Sequence, residues 1–460
     1  MRVDLRLAGI LSLFTTAISA IEVDWSDDAS IKEAASTVAY GLMKYYTGNN
    51  TGDVPGNLPD PYFWWEAGAM FGTMVDYWLF TGDETYIDVT YQAILHQVGD
   101  DADFMPQNQT STLGNDDQGF WTMSAMMAVE ANFKNPPEGE PQWLALVQAV
   151  FNEYVERWSE EKVCGGGLRW QIFPFNNGYN YKNSISNGCF FNVASRLARY
   201  TGNATYGEWA GKIWDWMESH EFIDDQYNIY DGANVNNDCG KHDAAQWTYN
   251  SGIFLQGAAM MYNFTDGDAK WQTRIEGLLG RTADIFFQDN IAFEPACETI
   301  RACNNDQQTF KGYLIRWLSS TSQVAPFTYD TINPLIRGSA EAAAQQCSGS
   351  VSYPSFRGLP GTACGYSWAQ RAEFDGIVGV GEQMNALSAL QYSLVRRDTP
   401  GPVTADAGGT SVGDVNAGAE TAGKIPTLPA ITMADRLAAG FLTSGVALSV
   451  LGGCIFLMKE

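Results

Sequence analysis

The 460-residue chain carries 27 basic against 53 acidic side chains, a formal charge of −26, which excludes nucleic acid and an anionic membrane surface as partners. Three histidines (His96, His220 and His242) and no His/Cys spacing of a zinc site argue against a transition metal, so neither metal nor cofactor is expected. Fifteen Trp and twenty-one Tyr are the informative excess: many must be core, but those beside Asn, Asp and Gln suit a sugar, with its C–H faces and hydroxyls.

Residues 1–20 pair Arg2 and Arg6 with an apolar run over 7–14 and small residues before Ile21, the pattern of a secretory signal cut after Ser19 or Ala20. Residues 21–396 then read as one all-α catalytic domain with almost no strands. The apolar spacing predicts twelve helices, at 28–46, 64–80, 84–98, 117–133, 141–158, 186–200, 205–219, 247–263, 268–287, 307–319, 328–346 and 372–395. Even-numbered helices are apolar nearly all round and odd-numbered ones are amphipathic. Similar junctions, at 81–86, 201–206 and 265–271, join an apolar helix to an amphipathic one. The apolar helices recur about every sixty residues, too long a period for a tetratricopeptide array of roughly 34. Six buried helices ringed by six half-wet ones describe an (α/α)6 barrel, with an open helical solenoid as the alternative.

If the inner helices all run the same way, the loops before them converge on one mouth. The polar and aromatic clusters fall there: 62–66, 115–118, 179–183, 246–250, 304–308 and 366–368. The stretch 115–118 stands out. Asn115 or Asp116 can cap a helix, Asp117 falls in its first turn, and residues 120–129 are apolar or small. Other Asp-Asp pairs (27–28, 100–101, 224–225) have loop or surface flanks; this one precedes a buried helix, where acids are costly unless used or paired. Two carboxylates in an aromatic, amide-rich cleft suit glycosidic bond cleavage.

After the barrel, a Gly/Ala/Thr/Pro-rich stretch at 397–436 reads as a flexible linker, and 437–460 as a hydrophobic tail removed on attachment of a glycolipid anchor. Asn416 is the expected attachment residue, with Ala422 or Gly423 as alternatives. A single transmembrane helix is the competing reading, but no basic cluster follows the tail. Sequons at Asn49, Asn108, Asn203 and Asn263 fit the same export route. With Cys454 in the removed tail, seven cysteines remain. Cys297 with Cys303 and Cys347 with Cys364 would close short loops, Cys164 with Cys239 is the third expected pair, and Cys189 the buried free thiol.

NDDQGFW at 115–121, FWWEAGAMFG at 63–72, CGGGLRWQI at 164–172, YKNSISNG at 181–188, QWTYNSG at 246–252 and DQQTFKGYLIRW at 306–317 together closely resemble the fungal branch of glycoside hydrolase family 76. The resemblance spans roughly residues 24–395. It implies an (α/α)6 barrel in which Asp116 is the nucleophile and Asp117 the acid/base. Trp64, Trp65, Glu66, Asn115, Gln118, Trp121, Arg169, Trp170, Tyr181, Lys182, Asn183, Asn187, Tyr249, Asn250, Gln307, Gln308 and Tyr366, drawn from these motifs and mouth clusters, are the candidate sugar contacts. Bacterial relatives hydrolyse α-1,6-mannan. The fungal branch implies an extracellular, anchor-linked cell-wall enzyme, a monomer acting on anchor-core glycan or mannan and passing mannoproteins to β-glucan. Retaining transglycosylation is the first expectation, endo-α-1,6-mannan hydrolysis the second and a non-catalytic mannose-binding wall protein the third.

Overall fold

The computed structural model describes residues 21–109, 112–158, 163–352, 354–370, 374–419 and 432–457; the expected signal at 1–20 lies outside them. The chain forms two units, Met1–Gly423 and Lys424–Glu460. Among the described residues the first holds twelve α-helices: α1 (Asp28–Met43), α2 (Trp64–Thr81), α3 (Ile87–His96), α4 (Asn115–Glu130), α5 (Trp143–Trp158), α6 (Ser184–Thr201), α7 (Ala204–Ser219), α8 (Thr248–Phe264), α9 (Ala269–Phe286), α10 (Phe310–Val324), α11 (Tyr329–Gln346) and α12 (Val380–Tyr392).

The even-numbered helices pack in sequence, α2 on α4, α6, α8, α10 and α12, and α12 returns to α2. That closure makes an (α/α)6 barrel and removes the open solenoid. Composition explains who goes where. On α4 every residue from Gln118 to Glu130 is buried, so this helix needs neighbours on all sides. On α9 only Trp271, Arg274, Ile275, Leu278, Leu279, Thr282 and Phe286 are buried, a stripe at three- and four-residue spacing that suits an outer position. Each large apolar side chain moved from water into the ring contributes about 1.5–3 kcal/mol. The left-handed glycines Gly82 (φ 76°) and Gly202 (φ 70°) end α2 and α6 and turn the chain outward.

Most helix ends shift from the sequence expectation by a few residues, and two starts move for a visible reason. The last inner helix begins at Val380, not 372, because the Asp375 carboxylate accepts the backbone N–H groups of Tyr366, Ser367 and Ile377 and so holds its segment in a turn. The third helix begins at Ile87, not 84, since Asp83 ties the N–H of Thr85 into the preceding turn at 2.9 Å. Seven short strands also appear among the described residues. β1 (Tyr181–Asn183), β2 (Gly232–Asn234) and β3 (His242–Asp243) form an antiparallel sheet; β4 (Phe287–Gln288) pairs with β5 (Ile291–Ala292), and β6 (Cys347–Gly349) with β7 (Ala363–Cys364). At two or three residues each they are too short to show an alternating pattern. Disulfides join Cys164–Cys239, Cys297–Cys303 and Cys347–Cys364, while Cys189 is a buried thiol.

Over residues 397–419 the stretch expected as flexible linker is instead docked. Val403 N–H donates to Glu130 O (3.0 Å) and Ala405 N–H to Tyr200 O (2.9 Å), covering the ends of α4 and α6 remote from the acid pair. Arg199 donates to Pro402 O, Asp414 N–H to Gln148 Oε1, and Asn152 to Val415 O and Ala417 O, so the strap then climbs α5. A chain this poor in large apolar residues is held through its backbone, a binding mode with no hydrophobic signature. Asn416 lies exposed on this strap; Ala422 and Gly423 lie outside the described residues. Asn49 and Asn108 are exposed, whereas the Asn203 amide oxygen caps α7 and Asn263 bonds Arg199 and Val324 O. Thr110, of the Asn108 sequon, is outside the described residues.

In the second unit one helix, α13 (Met433–Leu457), is described. Among the described residues no helix is long and apolar enough to cross a membrane.

Candidate active site

The N-terminal ends of the inner helices surround a cleft of about 610 Å³. The start of α4 forms its centre, and Asn115 fixes that start. Its backbone N–H donates to Trp170 O (2.8 Å), its amide to Arg169 O (2.9 Å), and its carbonyl accepts the Tyr154 hydroxyl (2.5 Å). Asp117 turns back so that Oδ2 accepts the Gly114 N–H at 2.6 Å, while Asp116 Oδ1 accepts the Asp117 N–H at 3.1 Å. Asn183, at the end of β1, also hydrogen-bonds the Asp116 carboxylate.

Both carboxyl groups line the cleft half-buried. Burial, and then the charge of Asp117, raise Asp116 well above the usual carboxylate range. Asp117 is pushed up to about 7 by burial, the Gly114 N–H opposing the shift and the charge of Asp306 adding to it. Two acids this close cannot both ionise freely, so the pair retains a proton near neutrality. Three donors reach Asp116 (two backbone N–H groups and Asn183) against one at Asp117, but burial and the neighbouring charge outweigh them, so both acids are raised and the pair shares a proton.

Around the pair the cleft is lined by Trp170, Gln171, Tyr181, Asn183, Asp231, Asp243 and Trp247, with the Tyr181 hydroxyl donating to Asp231 at 2.7 Å. It is also lined by Phe63, Trp64, Trp65, Asn304, Asp306, Gln307 and Phe310, with Trp65 Nε1 donating to Asp306 Oδ1 at 3.1 Å. Tyr249 stacks on Phe310 with ring centres 3.7 Å apart, and Trp247 meets Phe310 edge-on at 5.8 Å. Among the described lining residues five are aspartates and none is Lys or Arg.

Of the expected sugar contacts, Trp64, Trp65, Trp170, Tyr181, Asn183, Tyr249 and Gln307 line the cleft. The rest do not line it. Glu66 is fully buried and caps α2 through the Phe63 N–H (2.5 Å). Asn115 is occupied as described, and Gln118 bonds Glu153, Asp103 O and Arg157. Trp121 is wholly buried among Trp64, Phe71 and Phe104. Arg169 lies over the Tyr179 ring and donates to Tyr179 O. Lys182 is buried on Val163 O and Gly166 O, and Asn187 bonds both backbone groups of Leu168. Asn250 is wholly buried on α8, Gln308 donates to Cys303 O, and buried Tyr366 donates to Gln307 O. Loops without regular structure need such side chains to satisfy their backbone groups, and these are the same residue types that bind sugars. Asp231, Asp243, Asp306, Trp247, Phe63, Phe310 and Gln171 escaped the sequence reading. Asp306 and Trp247 lay inside the mouth clusters and could have been chosen; Asp231 and Asp243 sit by short strands with no pattern to mark them.

The family model described as Glycosyl hydrolase family 76 matches residues 30–406. The Saccharomyces cerevisiae protein named mannan endo-1,6-alpha-mannosidase DCW1 is 45% identical over 461 residues, covering 98% of this chain and 99% of its own. Its namesake DFG5 from the same yeast is 44% identical over 450 residues, covering 97% and 96%. The crystal structure of Dfg5 from Chaetomium thermophilum in complex with glucosamine is 46% identical with a TM-score of 0.80, over 86% of this chain and 97% of that one. An inactive variant of the α-1,6-mannanase of a Salegentibacter species, in complex with α-1,6-mannotriose, shares the fold at 17% identity and a TM-score of 0.61, over 79% and 99% of the two chains.

Proposed function

The chain belongs to glycoside hydrolase family 76, and we propose that it is a retaining α-mannan-active enzyme of the cell wall, with Asp116 as nucleophile and Asp117 as acid/base. The observation that carries this reading is the half-buried carboxyl pair at the start of α4, both acids raised by burial so that one proton is shared between them near neutrality. Relatives named mannan endo-1,6-alpha-mannosidase over nearly the whole chain support α-1,6-linked mannose as substrate.

The chemistry follows from the two protonation states. Asp116 attacks the anomeric carbon while the Asp117 proton passes to the leaving oxygen, so the glycosidic bond breaks and a mannosyl ester forms. Asp117, now a carboxylate, takes the proton of an incoming hydroxyl. That oxygen bonds to the anomeric carbon, and the ester electron pair returns to Asp116. Two inversions give net retention.

The finer reading is transglycosylation, with a sugar hydroxyl of wall glucan as second nucleophile and anchor-core glycan as donor. It draws support from the lining of five aspartates without a described Lys or Arg, which suits a glycan bearing an amino sugar beside mannose, and from the glucosamine complex of the Chaetomium relative. Export and anchoring through a glycolipid belong to the same proposal; three disulfides suit an oxidising compartment. The test is product analysis of the purified enzyme on α-1,6-mannooligosaccharides and on mannosylated anchor glycan, with and without a β-glucan oligosaccharide. Products of retained configuration are expected, with mass-shifted conjugates when glucan is present. Inverted products would overturn the retaining reading, and free mannosides alone would leave the hydrolase.

A further inference from the structure

The two carboxyls of the pair have different neighbours. Asp116 is hydrogen-bonded by Asn183, from the side where Tyr181 donates to Asp231. Asp117 is reached by the charge of Asp306, from the side of Trp65. In a double displacement the nucleophile lies under the glycosyl ring, whereas the acid/base must lie beside the leaving oxygen and, in the second step, beside the incoming hydroxyl. Trp65 and Asp306, the neighbours of Asp117, therefore stand on the leaving-group side.

We propose that Trp65 and Asp306 form the subsite for the leaving-group and acceptor sugar, with Asp306 accepting hydrogen bonds from that sugar's hydroxyls; this rests on the retaining reading above. Nothing in the sequence motifs assigned Asp306 a part. Its Oδ1 is held by Trp65 Nε1, while its other oxygen has no hydrogen-bond partner among the described residues, although the side chain lines the cleft. A carboxylate oxygen left open in a half-buried site is costly unless a ligand or water meets it. Trp65 is half-exposed, and its only polar atom is used by Asp306, so a ring face is left for a sugar's C–H face. Phe120, 4.7 Å away, and Tyr313, 6.1 Å away, brace that ring. Phe120 lies one turn beyond Asp116 and Asp117 on the same helix, so the subsite and the acids share one rigid frame. In the transfer step the acceptor oxygen bonds to the anomeric carbon, its proton goes to Asp117, and the bond to Asp116 breaks with its electron pair. Asp306 makes and breaks no bond; it orients the hydroxyl-bearing ring.

The test is the partition of the glycosyl-enzyme. The full chain is given α-mannosyl fluoride as donor and α-1,6-mannobiose as acceptor, and transfer product and free mannose are quantified by mass spectrometry. Water needs no acceptor subsite, whereas the sugar does. Asp306→Ala is expected to lower the ratio of transfer to hydrolysis about tenfold, the worth of a charge-assisted hydrogen bond. Trp65→Phe, which keeps a ring but releases Asp306, should lower it less. Structural damage, or an altered acid/base, slows both routes together and leaves the ratio in place. An unchanged ratio in Asp306→Ala overturns the proposal, as does wild-type enzyme yielding free mannose alone at saturating acceptor. Wild-type enzyme yielding neither product overturns the underlying function instead.

Discussion

Gly114 donates its N–H to Asp117 Oδ2 at 2.6 Å, and the place its missing β-carbon would take is already filled by Asp116 Oδ1, 2.3 Å away. Both acids are thus moulded against one glycine. Its φ of −91° is open to any residue, so the constraint is space and not backbone strain. Gly114→Ala should push the Asp116 carboxylate aside and cut kcat/KM about 100-fold, the scale of a misplaced catalytic group, with little change in melting temperature. Steady-state kinetics beside a thermal melt checks this; near-normal activity would mean that the carboxyl positions are looser than drawn.

The division of labour between the acids predicts unlike mutants. Asp117→Ala should lose about 10²–10⁴-fold on natural glycan, yet still form the glycosyl-enzyme from α-mannosyl fluoride, whose leaving group needs little protonation. Turnover then stalls, and azide should restore it with a product of retained configuration. Asp116→Ala should form no covalent species with the same donor, and azide could yield only the inverted product. Intact-protein mass spectrometry and anomeric NMR separate the cases; exchanged behaviour would reverse the roles.

Buried acids around the cleft make stability fall as pH rises. Burial pushes Glu66 up to about 8, Glu294 to about 8 and Glu382 to about 7. A carboxyl whose folded pKa is raised binds its proton more tightly folded than unfolded. Stability is therefore full below the ordinary carboxylate value and is lost as pH climbs through the folded values. The melting temperature should drop between pH 5 and pH 8. Glu66→Gln should narrow that drop by about 2 °C or more, because one charge no longer has to be ionised inside. Scanning calorimetry at the two pH values decides, and a wild-type melt independent of pH would refute the account.

The docked strap predicts where the chain can be cut. Ending it after Ala419 should leave the barrel's melting temperature unchanged. Ending it after Arg397 removes the bonds to Glu130 O, Tyr200 O, Gln148 and Asn152 and uncovers the buried Arg196–Glu130 pair (2.6 Å). At about 1 kcal/mol per bond, and about 2–4 °C for each kcal/mol, the shorter chain should melt at least several degrees lower. Equal melts for the two truncations would make the strap a passenger.

Much of the barrel was legible before any coordinates. A helix that must be buried all round, such as α4, announces itself by composition, and one that is half wet, such as α9, by its stripe. Twelve segments alternating between these types leave few arrangements that bury the first kind and wet the second. The acid pair was legible for a related reason: charge at the start of a buried helix is expensive, and few positions carry it. Helix starts were less legible, since Asp83 and Asp375 hold turns through side-chain bonds that hydrophobic period does not record.

By itself, then, the sequence determined the six-fold alternation, the acid pair Asp116–Asp117 and the aromatic, amide-rich character of one mouth, because each is written in composition or spacing along the chain. Tertiary structure alone decided which polar residues of that mouth meet the cleft. Glu66 and Trp65 are neighbours on one helix turn, yet about 100° apart around its axis one caps the helix in the interior and the other faces the space where sugar would lie. Lys182 and Asn183 divide in the same way on β1, because successive strand residues point to opposite faces. Asp231, Asp243 and Asp306 come to the cleft from distant parts of the chain. The strap is held by backbone hydrogen bonds, which any sequence can make. Burial is a property of neighbours, and neighbours distant in the chain are chosen only when the ring closes.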